Sequence, residues 1–206
     1  MFHDVSPSKL TKPKFTKFNL WKNLISFNSS DIEDENINDT EIKEKLEFLI
    51  EQNGLQLKKS LIETQTGYDN FNLLHYAAKS CRSSLSNYLI EILAFDVNVC
   101  SKSKMTPLHL LVKLNVFPKS SESALFSCKN SVSNKKTKFI KTMEVLIDHN
   151  CDYNLQDDSG FTALHYAVFK NNFEAAQILL NLENIRLDFR LKLNKNFPSK
   201  ANLFLN

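Results

Sequence analysis

The chain has 206 residues, 42% of them hydrophobic and 24% charged, with a formal charge of +3; that suits one core with flanks and excludes several independent domains. It holds no run of the roughly 18 apolar residues a membrane helix needs, and its lysine-rich, proline-containing start lacks the apolar stretch of a secretory signal. The four cysteines, Cys81, Cys100, Cys128 and Cys151, are widely scattered, which argues for a reducing compartment; the expected location is the cytoplasm, with the nucleus as the alternative.

Residues 1–39 read as a flexible arm, basic at first and acidic from Asp31, with an apolar cluster at Phe18, Leu20, Trp21, Leu24 and Ile25. Thr40 then caps a helix whose apolar face is Ile42, Leu46, Leu49 and Ile50, and Asn53 and Gly54 are expected to end it. Further on, three segments match one another: NLLHYAA at 72–78, TPLHLLV at 106–112 and TALHYAV at 162–168. His75 and His109 lie 34 residues apart, His109 and His165 lie 56 apart, and the second interval is one period plus about 23 residues. A second marker keeps the same register. Asp96-Val97-Asn98 ends eight residues before Thr106, and Asp152-Tyr153-Asn154 ends eight before Thr162.

Each copy reads as a turn, a short helix, a tight connection and a second helix. In the third, Gly160 supplies a residue tolerant of positive φ and Thr162 an N-terminal cap. Leu164, Ala167 and Val168 form one helical stripe, Asn171 and Asn172 close it, and Phe173, Ala176, Ile178, Leu179 and Leu180 form the next. Asn70 and Lys104 stand where Gly160 stands, and lysine accepts that backbone geometry poorly. The second helices of the other copies are placed at 84–93 and 139–147. The surplus in the middle copy falls at about 115–138, a serine- and lysine-rich stretch read as a disordered insertion between its two helices. After Leu182, Leu187, Phe189, Leu191 and Leu193 alternate with polar residues.

The chain resembles the ankyrin-repeat family, whose repeats have a period of about 33 residues and a T-P-L-H-x-A pattern. Residues 106–109 match that pattern outright and 162–167 and 72–77 nearly so. The fold class implied is all-α with short β-hairpin fingers, a helical solenoid of about three recognisable repeats with degenerate ends. The repeat domain would span 40–186, with 187–206 a degenerate C-terminal cap or truncated repeat. Such folds bind other proteins, so the function implied is a non-catalytic interaction module, an adaptor or regulatory inhibitor. One alternative is an inhibitor of Rel-type transcription factors (an inhibitor-of-NF-kappa-B-like regulator); another is an electrostatic nucleic-acid or chromatin binder using the basic insertion and tail.

His75, His109 and His165 tempt a metal or catalytic reading. Each occupies the same motif position, however, three residues after the cap, which predicts a structural imidazole tying neighbouring turns together. The structural motif set is His75, Thr106, Pro107, Leu108, His109, Thr162, Leu164 and His165. No phosphate loop, nucleophile elbow or HExxH motif occurs, so no enzyme activity, cofactor, metal or small-molecule substrate is expected. The partner is another protein, met by fingers and first helices, and the candidate contacts are Tyr68, Asn70, Tyr76, Lys102, Ser103, Lys104, Asp157, Asp158, Ser159, Phe161, Tyr166 and Phe169.

Overall fold

The computed structural model describes residues 38–63, 68–114 and 129–187. Among them are seven helices: α1 Asp39–Glu63, α2 Leu73–Lys79, α3 Ser83–Glu91, α4 Pro107–Leu114, α5 Lys129–Asp148, α6 Ala163–Phe169 and α7 Phe173–Leu180. The apolar cluster at Phe18–Ile25, Cys128, and the alternating residues Phe189, Leu191 and Leu193 lie outside the described residues.

The helices pack as two layers. The short helices α2, α4 and α6 lie side by side, and α3 packs between α1 and α5 in a second layer. A helix of seven or eight residues is only marginal alone, so each depends on its neighbours. All of Leu73 to Ala78 in α2 and Pro107 to Val112 in α4 is buried. The core between the layers includes Leu74, Leu85, Leu89, Leu111, Phe139, Met143 and Leu179. A helical solenoid of this kind is what the repeats imply.

Backbone geometry repeats as strictly as the sequence does. The positive-φ residues among those described are Asn70, Cys81, Ala94, Lys104, Asn150, Gly160, Asn171 and Asn184, and all fall at three recurring points. Asn70, Lys104 and Gly160 each lie five residues before a motif histidine; Cys81 and Asn171 lie six after one; Ala94, Asn150 and Asn184 follow a second helix. A left-handed residue reverses the chain in the least length, and the repeat needs that reversal whether or not glycine is present.

The D-x-N segments have a defined structural purpose. Asp96 and Asp152 each accept, through Oδ1, the amide of the asparagine two residues on, both at 2.9 Å. Asn98 Oδ1 then accepts the Asp152 amide (2.7 Å) and Asn154 Oδ1 accepts the Arg186 amide (2.9 Å). One residue closes the turn and the other fastens it to the next repeat. The register therefore continues through Asn184 and Arg186, beyond the last helix described.

The structure departs from the sequence reading in four places. Helix α1 does not stop at Asn53-Gly54 but runs through both to Glu63; a single glycine costs a helix only about 1 kcal/mol, too little to end one with helical residues on either side. Residues 129–138 of the supposed insertion are helical, since Lys129–Asp148 is one continuous helix; 115–128 lie outside the described residues. In α7 the buried residues are Ala175 and Leu179, while Phe173 and Leu180 are exposed. The fingers are tight turns, closed by the backbone bonds Ser101 N–H to Met105 O and Lys104 N–H to Ser101 O in one and Asp157 N–H to Phe161 O and Gly160 N–H to Asp157 O in the other, and no strand is built on them among the described residues.

Candidate protein-binding face

The face begins with the capping histidines, because they fix the fingers on the short helices. In α4, the Thr106 amide donates to His109 Nδ1 (3.2 Å), and the Thr106 hydroxyl lies 2.8 Å from the same nitrogen. That leaves the proton on Nε2, which donates to the carbonyl of Phe161 in the next finger at 3.1 Å. His75 repeats the arrangement: Asn72 N–H to Nδ1 at 3.3 Å and Nε2–H to Met105 O at 3.0 Å. In α6, Thr162 and His165 form the same reciprocal cap. Burial holds the pKa of His75 down at about 4, and burial likewise lowers that of His109. A neutral imidazole between a cap and a neighbouring carbonyl is a cross-brace between repeats.

The fingers are further joined edge to edge. Lys102 N–H donates to Asp69 O (2.8 Å) and Asp158 N–H donates to Ser103 O (3.0 Å), the same pair of finger positions in successive repeats. Asp69 also receives the Ser103 amide on Oδ1 (2.9 Å) and both the Ser101 and Ser103 hydroxyls on Oδ2. Lys104 Nζ reaches Asp158 Oδ1 at 3.3 Å. The tips form a braced row rather than three independent loops.

On this row Tyr68 is 95% exposed, and Asn70, Lys102, Lys104, Asp158 and Phe169 are exposed as well; Ser103 and Ser159 are half-buried. Four expected contact residues are instead buried: Tyr76, Asp157, Phe161 and Tyr166. Asp157 turns inward because its carboxylate closes its own finger: Oδ1 accepts the Ser159 and Phe161 amides at 2.9 Å, and Oδ2 accepts the Tyr166 hydroxyl at 2.6 Å. Phe161 is covered by the Tyr166 ring, stacked at 5.0 Å. Tyr76 packs edge-on to Phe71 at 6.1 Å. A ring at these positions stays between repeats because burying it releases more free energy than exposing it, about 25 cal/mol per Å².

Three residues of this layer escaped the sequence reading. Asp69 ties two fingers, and its signal was its position, six residues before His75 as Ser103 is six before His109. Lys113 places Nζ 5.0 Å from the Tyr166 ring centroid and Lys170 places Nζ 5.7 Å from that of Phe169. Neither lies in a repeated motif position, so only packing exposes their roles. Among the described residues no group of three or more His, Cys, Asp or Glu side chains is placed to hold a metal ion, and no helix is long and apolar enough to cross a membrane.

A row of turn-and-two-helix units, cross-braced by capping histidines, defines a helical repeat protein whose inner helices and fingers share one face. The family model for ankyrin repeats (many copies) matches residues 140–180. Neurogenic locus notch homolog protein 1 of Danio rerio is 32% identical over 130 residues, covering 58% of this chain and 5% of that protein; its Homo sapiens counterpart is 31% identical over the same length. Ankyrin repeat domain-containing protein 53 of Macaca fascicularis is 28% identical over 112 residues, 54% of this chain and 19% of that one. The chain thus spans a small part of the relatives it matches. Its repeats match ankyrin repeats, a kind of repeat that forms protein–protein interaction modules.

Proposed function

We propose that the chain is a non-catalytic adaptor or regulatory inhibitor that holds another protein against its fingers and inner helices. The supporting observation is the braced row of tips: adjacent fingers share backbone and carboxylate hydrogen bonds through Asp69 and Ser103, while Tyr68, Asn70, Lys102 and Asp158 stay exposed. A surface ordered before binding loses little conformational entropy on association. Tyr68 and Phe169 provide aromatic area of the kind that anchors protein interfaces.

The test is photo-crosslinking in cells, with a benzophenone amino acid at position 68 or 169 on this face, or at position 48 on α1, where Phe48 is also exposed. A partner captured from 68 and 169 but not from 48 is the expected result. Capture from 48 alone would move the binding surface to the outer helices and defeat the proposal.

A further inference from the structure

The charges of the finger-and-inner-helix layer are unbalanced. Its acids are Asp69, Asp157 and Asp158, and its lysines are Lys79, Lys102, Lys104, Lys113 and Lys170. The acids are occupied. Asp69 and Asp157 each accept several hydrogen bonds from their own fingers or the adjoining one, and Asp158 pairs with Lys104.

Three of the lysines are held differently. Lys102 Nζ stands 5.5 Å from the Tyr68 ring centroid, Lys113 Nζ 5.0 Å from that of Tyr166, and Lys170 Nζ 5.7 Å from that of Phe169. An aromatic face orients an ammonium group through its quadrupole but carries no net charge to cancel it. The middle repeat therefore contributes two positioned cations, Lys102 and Lys113, and the last repeat one, Lys170, and no ion pair neutralises them among the described residues. The outer helix α1 differs: exposed Glu41, Glu44, Glu47 and Glu51 line it, and the cation–π contact there, Lys43 over Tyr88, comes with a hydrogen bond to Ser84, whereas α5 is itself lysine-rich.

We infer that the face binds an acidic segment of a partner protein, its carboxylates meeting Lys102, Lys113 and Lys170 and its apolar side chains meeting the exposed rings of Tyr68 and Phe169. Charge complementarity is what selects this occupant. Carboxylates bind these ammonium groups without displacing an existing ion pair, and the rings have already ordered the lysine side chains. The inference rests on the binding face proposed above and specifies its partner's chemistry.

The full chain is panned against a displayed library of random 16-residue peptides, alongside the triple variant Lys102→Gln, Lys113→Gln, Lys170→Gln and the corresponding triple arginine variant. Peptides enriched by the parent chain are expected to carry an excess of Asp and Glu, to bind the glutamine variant at least tenfold more weakly and to retain binding to the arginine variant. Matching melting temperatures separate lost charge from lost fold, and if the glutamine variant is unstable the arginine variant and a salt titration carry the test. Enriched peptides that crosslink at position 68 or 169 yet show no acidic excess would overturn this inference and leave the binding face standing. Peptides that crosslink only at position 48 would overturn both. A labelled oligothymidylate that binds the parent chain and not the glutamine variant, with no acidic peptide enriched, would assign the lysines to single-stranded nucleic acid instead.

Discussion

His75 and His109 are chemically reactive residues used as struts. Their Nδ1 atoms face backbone amides of the cap and their Nε2–H groups face carbonyls of the next finger, so a second proton on His109 Nδ1 would confront the Thr106 amide donor, while at His75 the Asn72 side-chain oxygen also lies 2.7 Å from Nδ1. Both pKa values are lowered chiefly by burial, that of His75 from 6.5 to about 4. The unfolded chain therefore takes up protons first. Stability is fully present above pH 6.5, falls as the pH drops towards 4 and is no longer reduced by His75 below that. For His75 alone the loss at pH 5 is about 2 kcal/mol, and His109 acts in the same direction. Urea unfolding at pH 7.5 and pH 5 measures it; equal midpoints and slopes would contradict the buried-neutral assignment. Ala94 offers a second test at this scale. It is exposed and holds φ at 59°, where a β-carbon is strained, so Ala94→Gly is expected to stabilise the fold by roughly 0.5–1 kcal/mol after the greater unfolded-state freedom of glycine is counted. A lower melting temperature would refute that reading of the turn.

At the scale of elements, the periodic pattern located the short helices well and the long ones poorly. Asn72 and Thr162, with their histidines, mark where α2 and α6 begin, because a capping box is a local device written in adjacent residues. The ends of α1 and the start of α5 have no such signature. Serines and lysines at 129–138 suit a solvated loop, yet the segment continues the helix that buries Phe139, Met143 and Leu146, and Lys136 pairs with Glu174 of α7 at 2.6 Å. Lys138→Pro distinguishes the two: a loop would tolerate it, whereas the helix is expected to lose about 3 kcal/mol, read from a denaturant curve. The stripe of α7 gives a comparison. Leu179 is fully buried and Leu164 only partly so, so Leu179→Ala should cost about 2–5 kcal/mol and Leu164→Ala clearly less. Thermal melts giving the opposite order would displace the register of the last repeat.

For the whole molecule, stability passes from neighbour to neighbour, since α4 contacts α2 and α6 while α3 contacts α1 and α5. Such an array frays from its ends. Hydrogen exchange should be slowest at the α4 amides, flanked on both sides, and faster through α7, where Phe173 and Leu180 are exposed. Uniform protection from α2 to α7 would argue against this view.

Sequence alone determined the repeat, its register and the position of each capping histidine, because these depend on residues close together in the chain. It also marked the D-x-N turns, though not that Asn98 and Asn154 reach the following repeat. Tertiary structure decided which aromatic residues remain available. Tyr68 is exposed and Tyr166 buried, although both are tyrosines in the same layer, since a ring's burial depends on what the next repeat places over it. It also decided that Lys113 and Lys170 come to rest on rings rather than on carboxylates. The Lys113–Tyr166 contact joins two repeats, and no spacing within one repeat encodes it, whereas Lys170 lies over the ring of its own sequence neighbour.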